Sequence, residues 1–284
     1  MKLSKELSYN ELIESLNEMG RLYSNMNLSY IGQSVFERTI PVITLGDKMA
    51  QKGVLYVGAH NAQGNTGASL LLNFIRDYLE AYERYSQVYQ VNLRYLYKMR
   101  KIYIVPMINP DGVEYRLRGV SVNNPIRERL VAYNGSEDFS AWKFNGRGVD
   151  LANNYDICFE RSKADENKKY CGEYAESEPE VAALVNFIRF NLDGIESMVS
   201  FDGDIKGIAY KSSVNNKHTE HIGRLSARLT NFPLSEIEQK GACGWFSSKF
   251  NKPSITVGTL DDAEISAVNY SRLKELLFTF PILF

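Results

Sequence analysis

The sequence predicts an α/β fold in a single domain spanning residues 1–284, and three observations predict it. Short apolar runs of strand length alternate with longer amphipathic segments of helix length along the whole chain, the pattern of helices layered on a sheet. The stretch Gly53–Leu72, GVLYVGAHNAQGNTGASLLL, reads as a buried strand that enters a polar turn and then a helix. No internal repeat and no Gly/Ser-rich linker divides the chain.

That strand–turn–helix unit organises the functional reading. Val54–Gly58 is the strand, Ala59–Asn65 the turn, and the helix starts near Thr66. In open α/β sheets ligands sit beyond the carboxyl ends of strands, which makes this turn the expected site. His60, one of three histidines, lies just past the strand end and is a metal-ligand candidate. A second ligand three residues on could reach the same ion, and the chain has Gln63 there, a neutral and weak ligand.

The remaining elements follow in order. Ser8 and Glu11 form a capping-box pair, and Leu12, Ile13, Leu16, Met19 and Tyr23 share one helical face. Leu28–Val35 and Thr39–Leu45 alternate as a strand pair around a turn at Phe36–Arg38. Ala68–Tyr82 is amphipathic, and the tyrosine-rich Tyr89–Met99 is read as a second helix. Lys101–Asn109 is an apolar strand that ends in a turn at Pro110-Asp111-Gly112. Asn123–Phe144 is an irregular polar loop, and Glu160–Lys169 a solvated excursion. Ser177 and Glu180 form a second capping box, opening a helix to about Asn191. Ile195–Phe201 and Gly207–Lys211 are strands joined through Asp202-Gly203-Asp204. His218–Thr230 and Trp245–Phe250 are helical, Pro253–Val257 is a short buried strand, and Tyr270–Phe278 closes the chain as a helix.

Composition narrows the classes of function. With 44% hydrophobic and 24% charged residues, the chain has the make-up of a globular protein with a substantial core. A formal charge of -1 gives no electrostatic reason to expect nucleic acid or an anionic membrane as partner. The N-terminus lacks an apolar signal-peptide core and no run is long enough to span a bilayer, so a cytoplasmic protein is expected. Cys158, Cys171 and Cys243 are too scattered for a zinc knuckle and read as free thiols, with a Cys158–Cys171 bridge as the alternative.

Several blocks, in order, carry a resemblance: GAHNAQ at the first turn, VPMINPDGVE at Val105–Glu114, WKFNGRGVDLANNYD at Trp142–Asp156, SEPE at Ser177–Glu180, and KPSITVG at Lys252–Gly258. Together they resemble the zinc carboxypeptidase family, the carboxypeptidase A-like group that includes bacterial peptidases cutting γ-D-glutamyl–diaminopimelate bonds. The resemblance implies a mixed, mostly parallel, eight-stranded twisted sheet with helices on both faces. It also implies a zinc held by two His and one Glu, with an open position for water.

Carried over residue by residue, that site is depleted. His60 matches the first ligand, Gln63 stands at the Glu ligand, and Asp202, in Ser200-Phe201-Asp202, stands at the second His. The general base, a Glu closing the last core strand, falls on Gly258, which can neither take nor return a proton. Losing a positioned acid–base group typically costs about 10²–10⁴ in rate. The Asn-Arg pair that grips a terminal carboxylate falls on Ala152 and Asn153, followed by a matching Asn154. The family's active-site Tyr falls on Cys243, with Gly244 at the following Asp and Trp245-Phe246 retained. Lys143 matches the oxyanion-stabilising cation.

Bland readings stand beside these. His60 without partners is a hydrogen-bonded relic, Lys143 a solvated lysine, and His218 and His221 a surface pair on one helix face. Cys243 with a histidine is a candidate nucleophilic dyad, though nothing in the sequence places one against it. The expectation is a catalytically inactive homologue that needs no cofactor and binds a peptide, a cell-wall fragment or a protein partner. The alternative is a working metallopeptidase with zinc on His60, Gln63 and Asp202.

Overall fold

Val54, Leu55, Tyr56 and Val57 are all buried because they form the middle of a sheet covered on both faces. Val54 and Tyr56 point into one core and Leu55 and Val57 into the other, as the two-residue period of a strand requires. The computed structural model describes residues 7–157, 159, 170–202, 207–211, 217–237, 241–258 and 267–283. Cys158, the segment 160–169 and the connector after Asp202 lie outside the described residues.

In chain order the elements begin α1 (Tyr9–Leu22), β1 (Met26–Gln33), β2 (Thr39–Leu45), β3 (Lys52–Gly58) and α2 (Asn65–Glu83). They continue with β4 (Gln87–Val88), β5 (Val91–Asn92), α3 (Leu93–Met99), β6 (Arg100–Val105), α4 (Pro110–Arg118), α5 (Arg127–Asn134) and α6 (Pro179–Phe190). The rest are β7 (Ile195–Asp202), β8 (Ile208–Tyr210), α7 (Lys217–Thr230), β9 (Leu234–Glu236), α8 (Gly241–Phe250), β10 (Ser254–Gly258) and α9 (Ala267–Thr279). Eight strands form one sheet in the order β1-β2-β6-β3-β7-β10-β8-β9.

Its centre, β6-β3-β7-β10, is parallel throughout, while β2, β1 and β8 join antiparallel. This is the mixed, mostly parallel sheet of the sequence reading. Helices α1, α2, α7 and α9 contribute to the core on one face, and α6 and α8 to the core on the other. The carboxyl ends of β3, β6, β7 and β10 therefore emerge along one edge, with Gly58 beside Phe201 and Gly258 beside Asp202.

Local chemistry explains where the structure departs from the sequence reading. The capping box at Ser8 and Glu11 forms, with Ser8 N donating to Glu11 Oε2 at 2.8 Å. Ser177 and Glu180 do not make a second one: Glu178 is the N-cap of α6, and its backbone N–H donates to Asn154 Oδ1 at 3.0 Å. The first half of Tyr89–Met99 is a hairpin rather than helix. Tyr89 and Gln90 both take positive φ (49° and 63°), the backbone a two-residue hairpin turn requires. Pro110-Asp111-Gly112 opens α4 rather than a turn, because Asn109 caps it through Gly112 N (3.0 Å) and proline suits the first helical position. The 123–144 region is not wholly irregular, since it contains α5. The edge strand β9 had no apolar run to announce it.

A polar cluster fastens the loops near this edge. Asp111 is fully buried, pairs with Arg38, and accepts from Phe36 N at 2.9 Å. Glu178 accepts from Asn145 Nδ2 (2.7 Å) and pairs with Arg147 Nε (3.3 Å). Glu180 accepts from Asn145 Nδ2 and from Val35 N, each at 3.3 Å. Asp111 and Glu178 each pair with a guanidinium while the donors to Glu180 are neutral, and burial pushes the Glu180 carboxyl up to about 7.

Candidate active site at the strand ends

The β3 turn is held rigidly. Ile108 N donates to Gly58 O (3.2 Å) and Asn109 N to Ala59 O (3.1 Å), continuing the strand contact beyond the sheet. Asn109 Nδ2 reaches both His60 O and Phe144 O at 3.2 Å, tying the turn to the loop that carries Lys143. Gly112 permits this approach, since a Cβ there would lie 2.1 Å from Phe144 O. Ala59 sits in the left-handed region (φ 46°), a strained conformation for alanine, directly before His60.

His60 is buried, and its Nε2 lies 3.0 Å from the hydroxyl of Tyr155. Its Nδ1 is buried without a hydrogen-bond partner among the described residues. Burial lowers the imidazole pKa to about 4, so the ring is neutral near pH 7. Tyr155 is itself fully buried, and its hydroxyl is pushed well above the usual range by burial and then by neighbouring Cys243 and Glu176. Its ring packs, tilted by 43°, 5.9 Å from that of Trp245 of α8. Sequence reasoning passed over Tyr155; its only signal was a hydroxyl-bearing aromatic at the end of the Asp150–Tyr155 block.

Gln63 does not turn toward His60's open nitrogen. The Asn61 side chain accepts from its backbone N–H (2.9 Å), and its own Nε2 donates to Ala141 O (3.1 Å). Gly258 ends β10 beside Asp202, donates to Gly207 O at 2.7 Å, and brings no acid or base to the edge. Asp202 is placed at the end of β7 by the sheet register. Among the described residues no group of three or more His, Cys, Asp or Glu side chains is arranged to hold a metal ion. A neutral amide committed to a backbone carbonyl does not fit a catalytic zinc, which needs three converging donors with charge among them.

The remaining positions are engaged in structure. Asn153 Nδ2 donates to Asp150 Oδ2 (2.8 Å), and Ala152 N to Asp150 Oδ1 (3.0 Å). Asn154 Nδ2 lies within reach of Cys171 O (2.6 Å), Ser177 Oγ (3.0 Å) and Tyr174 O (3.1 Å). Cys243 is fully buried and its thiol donates to Ile255 O at 3.2 Å. Cys171 and Cys243 are free thiols. Lys143 is exposed at the mouth of the site, and its carbonyl accepts from Ala62 N at 3.1 Å. Trp142 anchors it from below, against Phe139 and Phe144 at 5.1 Å each. His218 and His221 stack 6.4 Å apart on α7. The edge thus brings together His60, Gln63, Tyr155 and the backbone ends at Asp202 and Gly258.

Comparison with known proteins places this arrangement. The gamma-D-glutamyl-L-diamino acid endopeptidase 1 of Lysinibacillus sphaericus is 28% identical over 187 residues, 64% of this chain and 47% of that protein. The chain spans about half the length of the curated relatives it matches. The crystal structure of thrombin activatable fibrinolysis inhibitor superposes with a TM-score of 0.75 at 20% identity, covering 98% of this chain and 73% of that one. Murein-tripeptide amidase MpaA from Escherichia coli O157 gives a TM-score of 0.58 at 20% identity, covering 89% and 91%. The zinc carboxypeptidase family profile matches residues 12–243, and the chain belongs to that family.

Proposed function

We propose that this chain is a non-catalytic member of the zinc carboxypeptidase family, a pseudoenzyme that binds a peptide, a cell-wall peptide or a protein partner. The observation that carries this reading is Gln63. Its side chain is neutral and donates to Ala141 O, where the family has a charged zinc ligand. Gly258 supports the same conclusion, because hydrolysis needs a group to take a proton from water and return it to the leaving amine. Zinc is not required for such a role. The names of the Lysinibacillus endopeptidase and the murein-tripeptide amidase direct the choice of ligand toward cell-wall peptides. Buried free thiols at Cys171 and Cys243 suit a reducing compartment, and we place the protein in the cytoplasm, with neither nucleic acid nor membrane as partner. Recovery of the native protein with a Cys158–Cys171 disulfide would contradict that location. Among the described residues, no helix is long and apolar enough to cross a membrane.

Isothermal titration with muropeptides and short peptides tests the binding role. Saturable heat without hydrolysis is the expected result; turnover of any of them contradicts it, and silence from all leaves the protein-partner version. One observation favours a second reading, a metallopeptidase using His60, Gln63 and Asp202. The buried, unpartnered Nδ1 of His60 is an atom that a cation would satisfy.

A further inference from the structure

We propose that Tyr155 fixes the proton of His60 on Nδ1, making this imidazole a hydrogen-bond donor to a carbonyl or carboxylate oxygen of a bound ligand. The inference rests on the binding reading above and supplies its chemistry. A neutral imidazole has one N–H and one lone pair, and a tyrosine hydroxyl can donate or accept. The contact between Tyr155 and His60 Nε2, at 3.0 Å, therefore has two possible directions.

If Nε2 donated, the Tyr155 proton would be left without an acceptor among the described residues in a fully buried setting, and the Nδ1 lone pair without a donor among them. If Tyr155 donates, a single group is left over, the N–H on Nδ1. Buried polar groups are hydrogen-bonded in the great majority of cases, so the arrangement with one orphan is favoured over the one with two. A doubly protonated ring would orphan both the Tyr155 hydroxyl proton and the Nδ1 N–H, so the same count disfavours it. Two features hold the geometry: the left-handed Ala59 backbone before His60, and the packing of Tyr155 against Trp245. With the proton on Nδ1, the nitrogen not facing Tyr155 offers no lone pair to a cation. A ligand oxygen satisfies it instead.

A long-range ¹H–¹⁵N correlation spectrum of the native protein at neutral pH reads the proton directly, because protonated and lone-pair ring nitrogens resonate far apart. The expected spectrum has His60 Nδ1 in the protonated range and Nε2 in the lone-pair range. The reverse overturns the proposal whether or not any variant folds. Tyr155→Phe removes the donor and is expected to move the ring toward Nε2–H; a folded variant with the native pattern removes Tyr155 as the cause. Addition of a short peptide with a free terminal carboxylate is expected to displace the Nδ1–H resonance. A peptide that binds and leaves it unmoved overturns the donor role. A native Nδ1–H with no binding heat from any peptide sinks the binding reading while the proton assignment stands. An Nε2–H ring with binding heat intact does the opposite.

Discussion

Two polar regions lie close to the carboxyl edge of the sheet, and they treat charge in opposite ways. Under the loops, Asp111, Glu178, Glu180 and Asn145 are buried beside the half-buried Arg38 and Arg147, and every carboxyl has a donor within reach. At the strand ends Gln63 and Gly258 bring no carboxylate, and the imidazole of His60 bonds to a neutral phenol. The difference separates two jobs that buried charge performs. Breaking a buried ion pair leaves an uncompensated charge, so the cluster holding the fold tolerates no single loss. A charge whose role is to bind a cation and activate water can go without harm to the fold, provided its partners go too. The scaffold buries charged carboxyls, and the site is joined by hydrogen bonds between neutral groups.

The largest expected effect is in the scaffold. Asp111→Ala strands the buried Phe36 N–H and unpairs the half-buried Arg38, a cost of about 2–3 kcal/mol, between that of an exposed and a fully buried pair. Urea unfolding measures it, and a loss under ~1 kcal/mol, the level of an exposed pair, would erase the contrast between the regions.

Next comes the pH response, where the two regions pull against each other. Glu180 has its folded pKa raised from 4.5 to about 7, so its contribution is fully present below 4.5 and lost as pH rises through 7. His60 has its folded pKa lowered from 6.5 to about 4, so its contribution is present above 6.5 and lost as pH falls through 4. Between 4.5 and 6.5 the two slopes oppose, and native stability is expected to be nearly flat there as far as these groups decide it. Glu180→Gln removes one slope, and the variant is expected to lose on the order of 2–3 kcal/mol on acidification across that window. Stability against pH for both proteins checks this; identical profiles would mean that Glu180 does not titrate as its burial requires.

The smallest effect sharpens the site itself. Gln63→Ala loses the bond to Ala141 O, a cost of about 1 kcal/mol with no change in metal content. A variant that lost bound metal would show the amide to be a ligand after all.

Much of this was legible in the sequence because the signals were local. The alternation of apolar runs gave the layers, and the Ser8–Glu11 spacing gave the first helix start. Gly53–Leu72 read correctly as a buried strand, a polar turn and a helix, since each signal lies within one short stretch. What failed depended on tertiary competition. Asn109 converted a Pro-Asp-Gly turn signal into a helix cap, and Asn154 engages both the Glu178 N–H and the Ser177 hydroxyl, moving the helix start to Glu178. Tyr155 was invisible because its partner, His60, is distant in sequence and meets it only once β3 and the Leu151–Asn153 turn are docked.

Metal analysis of the protein purified without chelator, paired with a hydrolysis assay on the same sample, tests the central claim most directly. The account predicts zinc well below one equivalent and no turnover of cell-wall peptides. One equivalent of zinc, lost with His60→Ala together with measurable hydrolysis, would contradict it.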